Sequence, residues 1–125
     1  MNLRHLRLVS VPVSDQDRSK AFYTETLGLQ LISEEDMHSG LRWVEVGLPG
    51  AETSISLVTW LESMQPGSLR GLILLTEDIR RDHDELSRQG VEFLGPIEEQ
   101  HWGRFVQFKD PDGNVLVLQE NPGSG

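Results

Sequence analysis

The chain has 125 residues, 37% of them hydrophobic, and a formal net charge of −9, which fits one compact domain with a real core. The acidic balance excludes nucleic acid as an expected partner because such a chain repels phosphate backbones, and it favours encounter with cationic ligands. The absence of cysteine excludes disulfides and thiol chemistry. No apolar run is long enough to span a bilayer and residues 1–8 lack a signal-peptide core, so no membrane partner and a cytoplasmic location are expected.

The first half of the chain is predicted to contain one helix and four strands. Asp15 is expected to cap the helix, since its carboxylate can accept amide protons of the first turn, and Gly28 is expected to end it. The strands are predicted from apolar runs and from alternation of apolar and polar residues, and they cover residues 6–13, 29–35, 41–48 and 54–60.

The same order of elements recurs in the second half. Asp78 is expected to cap a helix that runs to Gln89, and Gly90 follows it as Gly28 follows the first helix. The predicted strands cover residues 69–76, 91–94, 102–109 and 115–120. This recurrence predicts a tandem β-α-β-β-β duplication within one domain, 1–125, with modules at 3–61 and 69–120 and a flexible tail at 121–125.

Side-chain alternation along the strands predicts one sheet face for the helices and one for a ligand. Two helices cover only one face, and the other is apolar but dotted with serine, threonine and glutamine, as in a small-molecule pocket. The alternative is an ordinary sheet core with tolerated hydroxyl groups. The residues predicted to contact a ligand on this face are Leu8, Ser10, Ser56, Val58, Trp60, Leu72, Leu74 and Val117.

Aromatic and basic side chains add to the predicted ligand site. Trp43, Trp60 and Trp102 could stack on a planar or cationic ligand, with core packing as the alternative. Arg104 could bind a ligand carboxylate through its fork of donors, although a solvated charge at a strand edge is commoner.

Two histidines lie in turns predicted to border the pocket. His38 follows the second strand and His101 precedes Trp102. Either imidazole could touch a ligand or carry a proton near neutral pH, and the alternative is a surface histidine without a function. His101 is included among the predicted ligand-binding residues.

The ordered set of these signals resembles the vicinal oxygen chelate superfamily, the VOC domain of glyoxalase I, bleomycin-resistance proteins and extradiol dioxygenases. The residues that carry the resemblance lie in both halves of the chain and are Val13, Asp15, Ser19, Phe22, Tyr23, Leu27, Gly28, Asp78, Gly90 and the sequence Asp-Pro-Asp-Gly-Asn at 110–114. The resemblance implies an α+β fold, in which tandem modules form a curved mixed-sheet cup with helices on the convex face, and a homodimer.

The resemblance implies a metal position: in the enzymes of this superfamily, the first and fourth strands of each module hold a divalent metal. The positions predicted to correspond here are Leu8, Ser56, Leu72 and Val117. Leucine and valine have no donor atom, and a neutral serine hydroxyl is a poor metal ligand. We therefore expect no metal and no cofactor, and we assign no catalytic residue.

These expectations favour a metal-free small-molecule-binding protein of the glyoxalase/bleomycin-resistance type. It would sequester a cationic or aromatic compound, as in antibiotic resistance. The alternative is a lyase, isomerase or dioxygenase-like enzyme of the same superfamily that uses His38, His101 or a non-standard metal site.

Overall fold

The computed structural model describes residues 1–123 and contains two compact units, Met1–Pro66 and a second unit that begins at Gly67. One predicted module falls in each unit, and their assignment to a single domain stays a prediction. Residues 124 and 125 of the predicted tail lie outside the described residues. No helix within residues 1–123 is long and apolar enough to cross a membrane.

The first unit is a four-stranded mixed sheet with one helix. Its elements are β1 (Leu8–Pro12), α1 (Gln16–Ala21) with a π-helical turn (Phe22–Thr26), β2 (Gln30–Asp36), a 3-10 turn (His38–Gly40), β3 (Arg42–Gly47) and β4 (Ser54–Val58). Its sheet, sheet 1, has the order β1-β4-β3-β2, with β1 parallel to β4 and the other pairs antiparallel.

Helix α1 packs on one face of sheet 1. The carboxylate of Asp15 accepts the backbone N–H of Arg18 at 3.0 Å, so the predicted N-cap is confirmed. The side-chain amide of Gln16 donates to the carbonyl oxygens of Arg42 and Leu57, which ties the start of the helix to β3 and β4. The side chains buried on this face are Val11, Ser19, Tyr23, Val44, Val46 and Leu57.

The second unit repeats this arrangement in sheet 2. Its elements are β5 (Leu72–Leu75), α2 (Ile79–Arg88), β6 (Glu98–Gln100), β7 (Gly103–Lys109) and β8 (Val115–Glu120). The strand order is β5-β8-β7-β6, with β5 parallel to β8 and the other pairs antiparallel. Asp78 caps α2 by accepting the N–H of Arg81, so this prediction is also confirmed.

The turn between β7 and β8 is built by the side chain of Asp110. Its Oδ1 accepts the backbone N–H groups of Asp112 and Asn114, both at 2.9 Å. The side chain of Asn114 in turn accepts the N–H of Leu69, which leads into β5. The predicted turn is therefore confirmed, and two buried side chains supply hydrogen bonds that the loop backbone needs.

The predicted strand at 91–94 is wrong. Only Phe93 pairs with β7, as an isolated bridge to Phe108, and the strand β6 begins after Pro96. Proline lacks an N–H donor and Gly95 gives no side chain to pack, so a regular ladder does not continue through this segment.

The predicted placement of Leu72 and Leu74 on the ligand face is also wrong. Leu72 pairs with Leu116, whereas Val117 pairs with Ile73, so Leu72 and Val117 occupy opposite faces. Glu120, on the same face as Leu116, accepts the N–H of Ile79 at the start of α2, which identifies the helix side. Because β5 is apolar on both faces, alternation in its sequence carried no information about direction.

Candidate functional site

We use the name open face for the side of sheet 1 opposite α1. The register aligns Ser10 with Ser56 and Ser56 with Glu45, so these three side chains share one row across β1, β4 and β3. Alternation from this row places on the same face Leu8, Trp43, Ser54 and Val58. On β1, β3 and β4 the open face therefore combines three serines, one carboxylate and apolar groups.

Glu45 is the centre of a hydrogen-bond network on the open face, and its side chain is nearly fully buried. Arg7 Nη1 donates to Oε2 at 2.8 Å and Arg7 Nη2 to Oε1 at 3.2 Å. The hydroxyl of Ser54 donates to Oε2 at 2.6 Å, and the indole N–H of Trp43 to Oε1 at 3.2 Å. The hydrogen bond from Arg7, with those from Ser54 and Trp43, outweighs the opposing effect of burial and lowers the pKa of Glu45 to about 2.

Two tryptophans lie together at one end of the open face. The ring centroids of Trp43 and Trp60 are 6.4 Å apart and their planes differ by 27°. Trp60 also lines a cleft of about 420 Å³ with Val58, Leu61 and Met64, among other residues of the first unit. Polar side chains, among them Thr59, Glu62 and Gln65, also line the cleft, and its volume suits a small organic molecule.

The family model described as the Glyoxalase/Bleomycin resistance protein/Dioxygenase superfamily matches residues 3–118. The chain belongs to this superfamily. It is the vicinal oxygen chelate superfamily that the sequence resembles, and the α+β fold of two mixed four-stranded sheets is the glyoxalase/bleomycin-resistance fold.

Similar proteins come from several bacteria. The crystal structure of TnmS3, an antibiotic binding protein from Streptomyces sp. CB03234, is 46% identical, with a TM-score of 0.90 over 97% of this chain and 98% of that one. A glyoxalase/bleomycin resistance protein from the same strain is 47% identical, with a TM-score of 0.82 over 92% and 99%. The protein YetH of Bacillus subtilis (strain 168) is 38% identical over 121 residues, 94% of this chain and 99% of its own.

The residues at the superfamily's metal positions do not fit a metal. Val13 and Thr76 make the same backbone hydrogen bond, to Val58 and Gln119 respectively, so the second-module counterpart of Leu8 is Gly71 rather than Leu72. Neither Leu8, Gly71 nor Val117 has a donor side chain, and Ser56 offers only a neutral hydroxyl. Within residues 1–123, no group of three His, Cys, Asp or Glu side chains is placed to hold a metal ion.

The hydroxyl of Ser56 is buried in the middle of the open face. Within the described part of the chain, its Oγ has no hydrogen-bond partner. The neighbouring Ser54 differs, since its hydroxyl bonds Glu45. A buried unpaired hydroxyl costs about 1–3 kcal/mol, so a partner supplied by a ligand or a water molecule would be favoured here.

Arg104 does not lie on the predicted ligand face of its sheet. It pairs in register with Glu120 on the helix side of sheet 2, and its guanidinium contacts Glu120 at 3.1 Å and Glu99 at 3.5 Å. Alternation along β7 directs this side chain toward carboxylates on the helix side, and a ligand-binding role of Arg104 stays a prediction.

Of the other predicted residues of the second unit, His101 and Trp102 lie at its surface, and Val117 lies on the face of sheet 2 opposite α2. Trp102 stacks on Phe105, with ring centroids 5.1 Å apart, and Phe105 pairs in register with Gln119. His101 lies in an exposed turn beside Trp102, and His38 lies in an exposed turn of the first unit. Contacts of His101, Trp102 and Val117 with a ligand stay predictions.

Sequence reasoning missed Arg7 and Glu45. Glu45 carried a usable signal, because β3 alternates between Trp43, Val44, Glu45 and Val46 and so puts a carboxylate on the face of Trp43. Arg7 carried none, since it precedes β1 and reaches Glu45 only when β3 and β4 assemble beside β1.

Proposed function

We propose that the protein binds and sequesters a small, flat aromatic compound on the open face of sheet 1, without a metal ion. The observation that carries this proposal is the Trp43–Trp60 pair, of which Trp60 lines the cleft. Aromatic faces stack on flat ligands, and the cleft gives such a ligand room beside Trp60. The antibiotic-binding relative TnmS3 supports a role in sequestration, as in antibiotic resistance.

The residues proposed to contact the compound all belong to the first unit. Trp43 and Trp60 supply stacking surfaces, and Val58 supplies an apolar floor shared by the open face and the cleft. Leu8, Ser10 and Ser56 lie along the same face, where Ser56 offers an unpaired hydroxyl. A location in the cytoplasm is part of the same proposal.

Replacing Trp60 by alanine is expected to weaken binding of an aromatic probe about tenfold, because the mutation removes one stacking face and part of the cleft wall. The probe is 2-naphthylmethanol, a neutral two-ring compound, and affinity is measured by isothermal titration calorimetry. Trp60→Phe is the matched control and is expected to retain most of the affinity, since phenylalanine keeps an aromatic face. Equal affinities of the wild type and Trp60→Ala, or no binding by the wild type, would contradict the proposal.

We also propose a homodimer, supported by an uncovered apolar surface in the second unit. Ile73 and Leu75 are 55% and 62% exposed, and Trp102 is 41% exposed. Ile73 and Leu75 share one face of sheet 2, and large apolar side chains exposed there are unfavourable in water, so a second copy of the chain is the proposed cover.

Replacing Leu75 by aspartate is expected to convert the dimer to a monomer, because the interface would bury an unpaired charge. Light scattering during size-exclusion chromatography measures the mass at micromolar concentrations. Leu48→Asp, at an exposed position of the first unit, is the control expected to remain dimeric. A monomeric wild type, or a dimeric Leu75→Asp variant, counts against the assignment of this surface.

A further inference from the structure

The guanidinium of Arg7 is held in place on the open face and keeps donors to spare. Nη1 donates to Glu45 Oε2 at 2.8 Å and to Ser54 Oγ at 3.3 Å, and Nη2 donates to Glu45 Oε1 at 3.2 Å. These contacts with the described residues use three of the five N–H donors of an arginine. The side chain nevertheless remains 65% exposed, so a ligand can reach it.

The same guanidinium lies near the indole nitrogen of Trp43. Arg7 Nη2 and the indole nitrogen of Trp43 each lie 3.2 Å from one oxygen, Glu45 Oε1. A flat ring stacked on Trp43 next to its indole nitrogen would therefore have its edge, or a substituent on that edge, within reach of Arg7. Glu45 positions both groups, because its two oxygens hold the guanidinium and the indole in a fixed relation.

The chemistry of these groups selects among ligands. A guanidinium presents planar donors that match the oxygen atoms of a carboxylate or a carbonyl, and it repels a cation. Glu45 has no acceptor position left for a direct hydrogen bond from a cationic ligand, since its oxygens already accept hydrogen bonds from Arg7, Ser54 and Trp43.

We propose that Arg7 is a specificity-determining residue that hydrogen-bonds an oxygen acceptor on the aromatic ring bound by Trp43 and Trp60. The ligand class is then an aromatic compound with a carboxylate or carbonyl oxygen, rather than an aromatic cation. This inference rests on the proposed function and specifies the chemistry of the same site.

Three probes that share one ring system test the inference: 2-naphthoate, 2-naphthylmethanol and 2-naphthylmethylammonium. Calorimetry of the full chain is expected to give about tenfold tighter binding for the carboxylate than for the alcohol, and the weakest binding for the ammonium compound. Arg7→Gln is expected to abolish the advantage of the carboxylate over the alcohol. Arg7→Lys keeps the charge without the fork and is expected to retain only part of that advantage.

The control variant is Arg4→Gln, which removes an exposed arginine from the same N-terminal segment and is expected to change none of the three affinities. The inference is overturned if the ammonium compound binds most tightly, or if Arg4→Gln and Arg7→Gln lose the carboxylate equally. If the alcohol binds in a Trp60-dependent way and the carboxylate binds no more tightly, the role of Arg7 is refuted and the proposed function stands. If none of the three probes binds, the proposed function itself is refuted.

Discussion

Replacing Glu45 by glutamine is expected to lower the free energy of unfolding by about 2–3 kcal/mol at pH 7. The carboxylate accepts hydrogen bonds from Arg7, Ser54 and Trp43 in a nearly fully buried position. An amide of the same shape has one acceptor oxygen and turns an NH₂ group toward donors. Solvent around the exposed Arg7 limits the loss, so the expected value stays below that of a fully buried ion pair.

The loss should also depend on pH in a defined direction. The pKa of Glu45 is lowered from 4.5 to about 2 in the folded chain, so the carboxylate makes its full contribution to the free energy of unfolding above about pH 5. It declines as the pH falls from 4.5 toward 2, because the unfolded chain takes up the proton first. The difference in stability between the wild type and Glu45→Gln should therefore shrink through this window.

Urea unfolding followed by tryptophan fluorescence at pH 7, 4 and 3 measures both effects. Glu35→Gln is the matched control, since Glu35 pairs in register with Trp43 on the neighbouring strand but is exposed. It is expected to change stability by less than about 0.5 kcal/mol. A difference for Glu45→Gln that is the same at pH 7 and pH 3 would show that the ionised carboxylate is not its source.

Replacing Gly103 by alanine is expected to destabilise the second unit by about 3–4 kcal/mol. Gly103 begins β7 with a φ of 136°, a region that residues with a side chain rarely adopt. A Cβ at this position would also collide with the backbone carbonyl oxygen of Glu120, at the end of β8. A backbone atom inside a sheet cannot move aside as the tip of a flexible side chain can, so the strand pairing itself must shift.

The Gly90→Ala variant measures the cost of a positive φ without a collision, and so separates that cost from the cost of the collision at Gly103. Gly90 follows α2 with a φ of 85°, but a Cβ there would meet open space. Its replacement is expected to cost only about 1 kcal/mol, from the left-handed backbone alone. Chemical unfolding of both variants measures the comparison, and equal losses at the two positions would refute a clash at Gly103.

The predictions that succeeded depend on chemistry between neighbours in the chain. The carboxylates of Asp15 and Asp78 each accept an N–H three residues on, so their capping role can be read locally. In sheet 1, the contrast between the apolar Val9, Val11 and Leu57 and the polar Ser10 and Ser56 also predicted which side chains share a face.

The predictions that failed concern elements without such contrast. The β5 sequence is leucine and isoleucine throughout, so either face could have met α2, and only pairing with β8 decided the question. For Arg104 likewise, only the register of β7 shows that the guanidinium lies opposite Glu120. The strand predicted at 91–94 was apolar, but only Phe93 forms a bridge there, and the strand itself lies beyond Pro96, at Glu98–Gln100.

By itself, the sequence determined the repeated modules, the two caps, the turn at 110–114 and the superfamily, because each depends on residue types at short spacing or on their order along the chain. Side-chain chemistry alone made Leu8, Ser56 and Val117 poor metal ligands, but only strand pairing replaced Leu72 by Gly71 as the fourth position. The tertiary structure decided which faces carry Leu72 and Arg104, and it alone brought Arg7 to Glu45. Those two residues are 38 positions apart, and their contact exists only because strand pairing sets the register between distant segments.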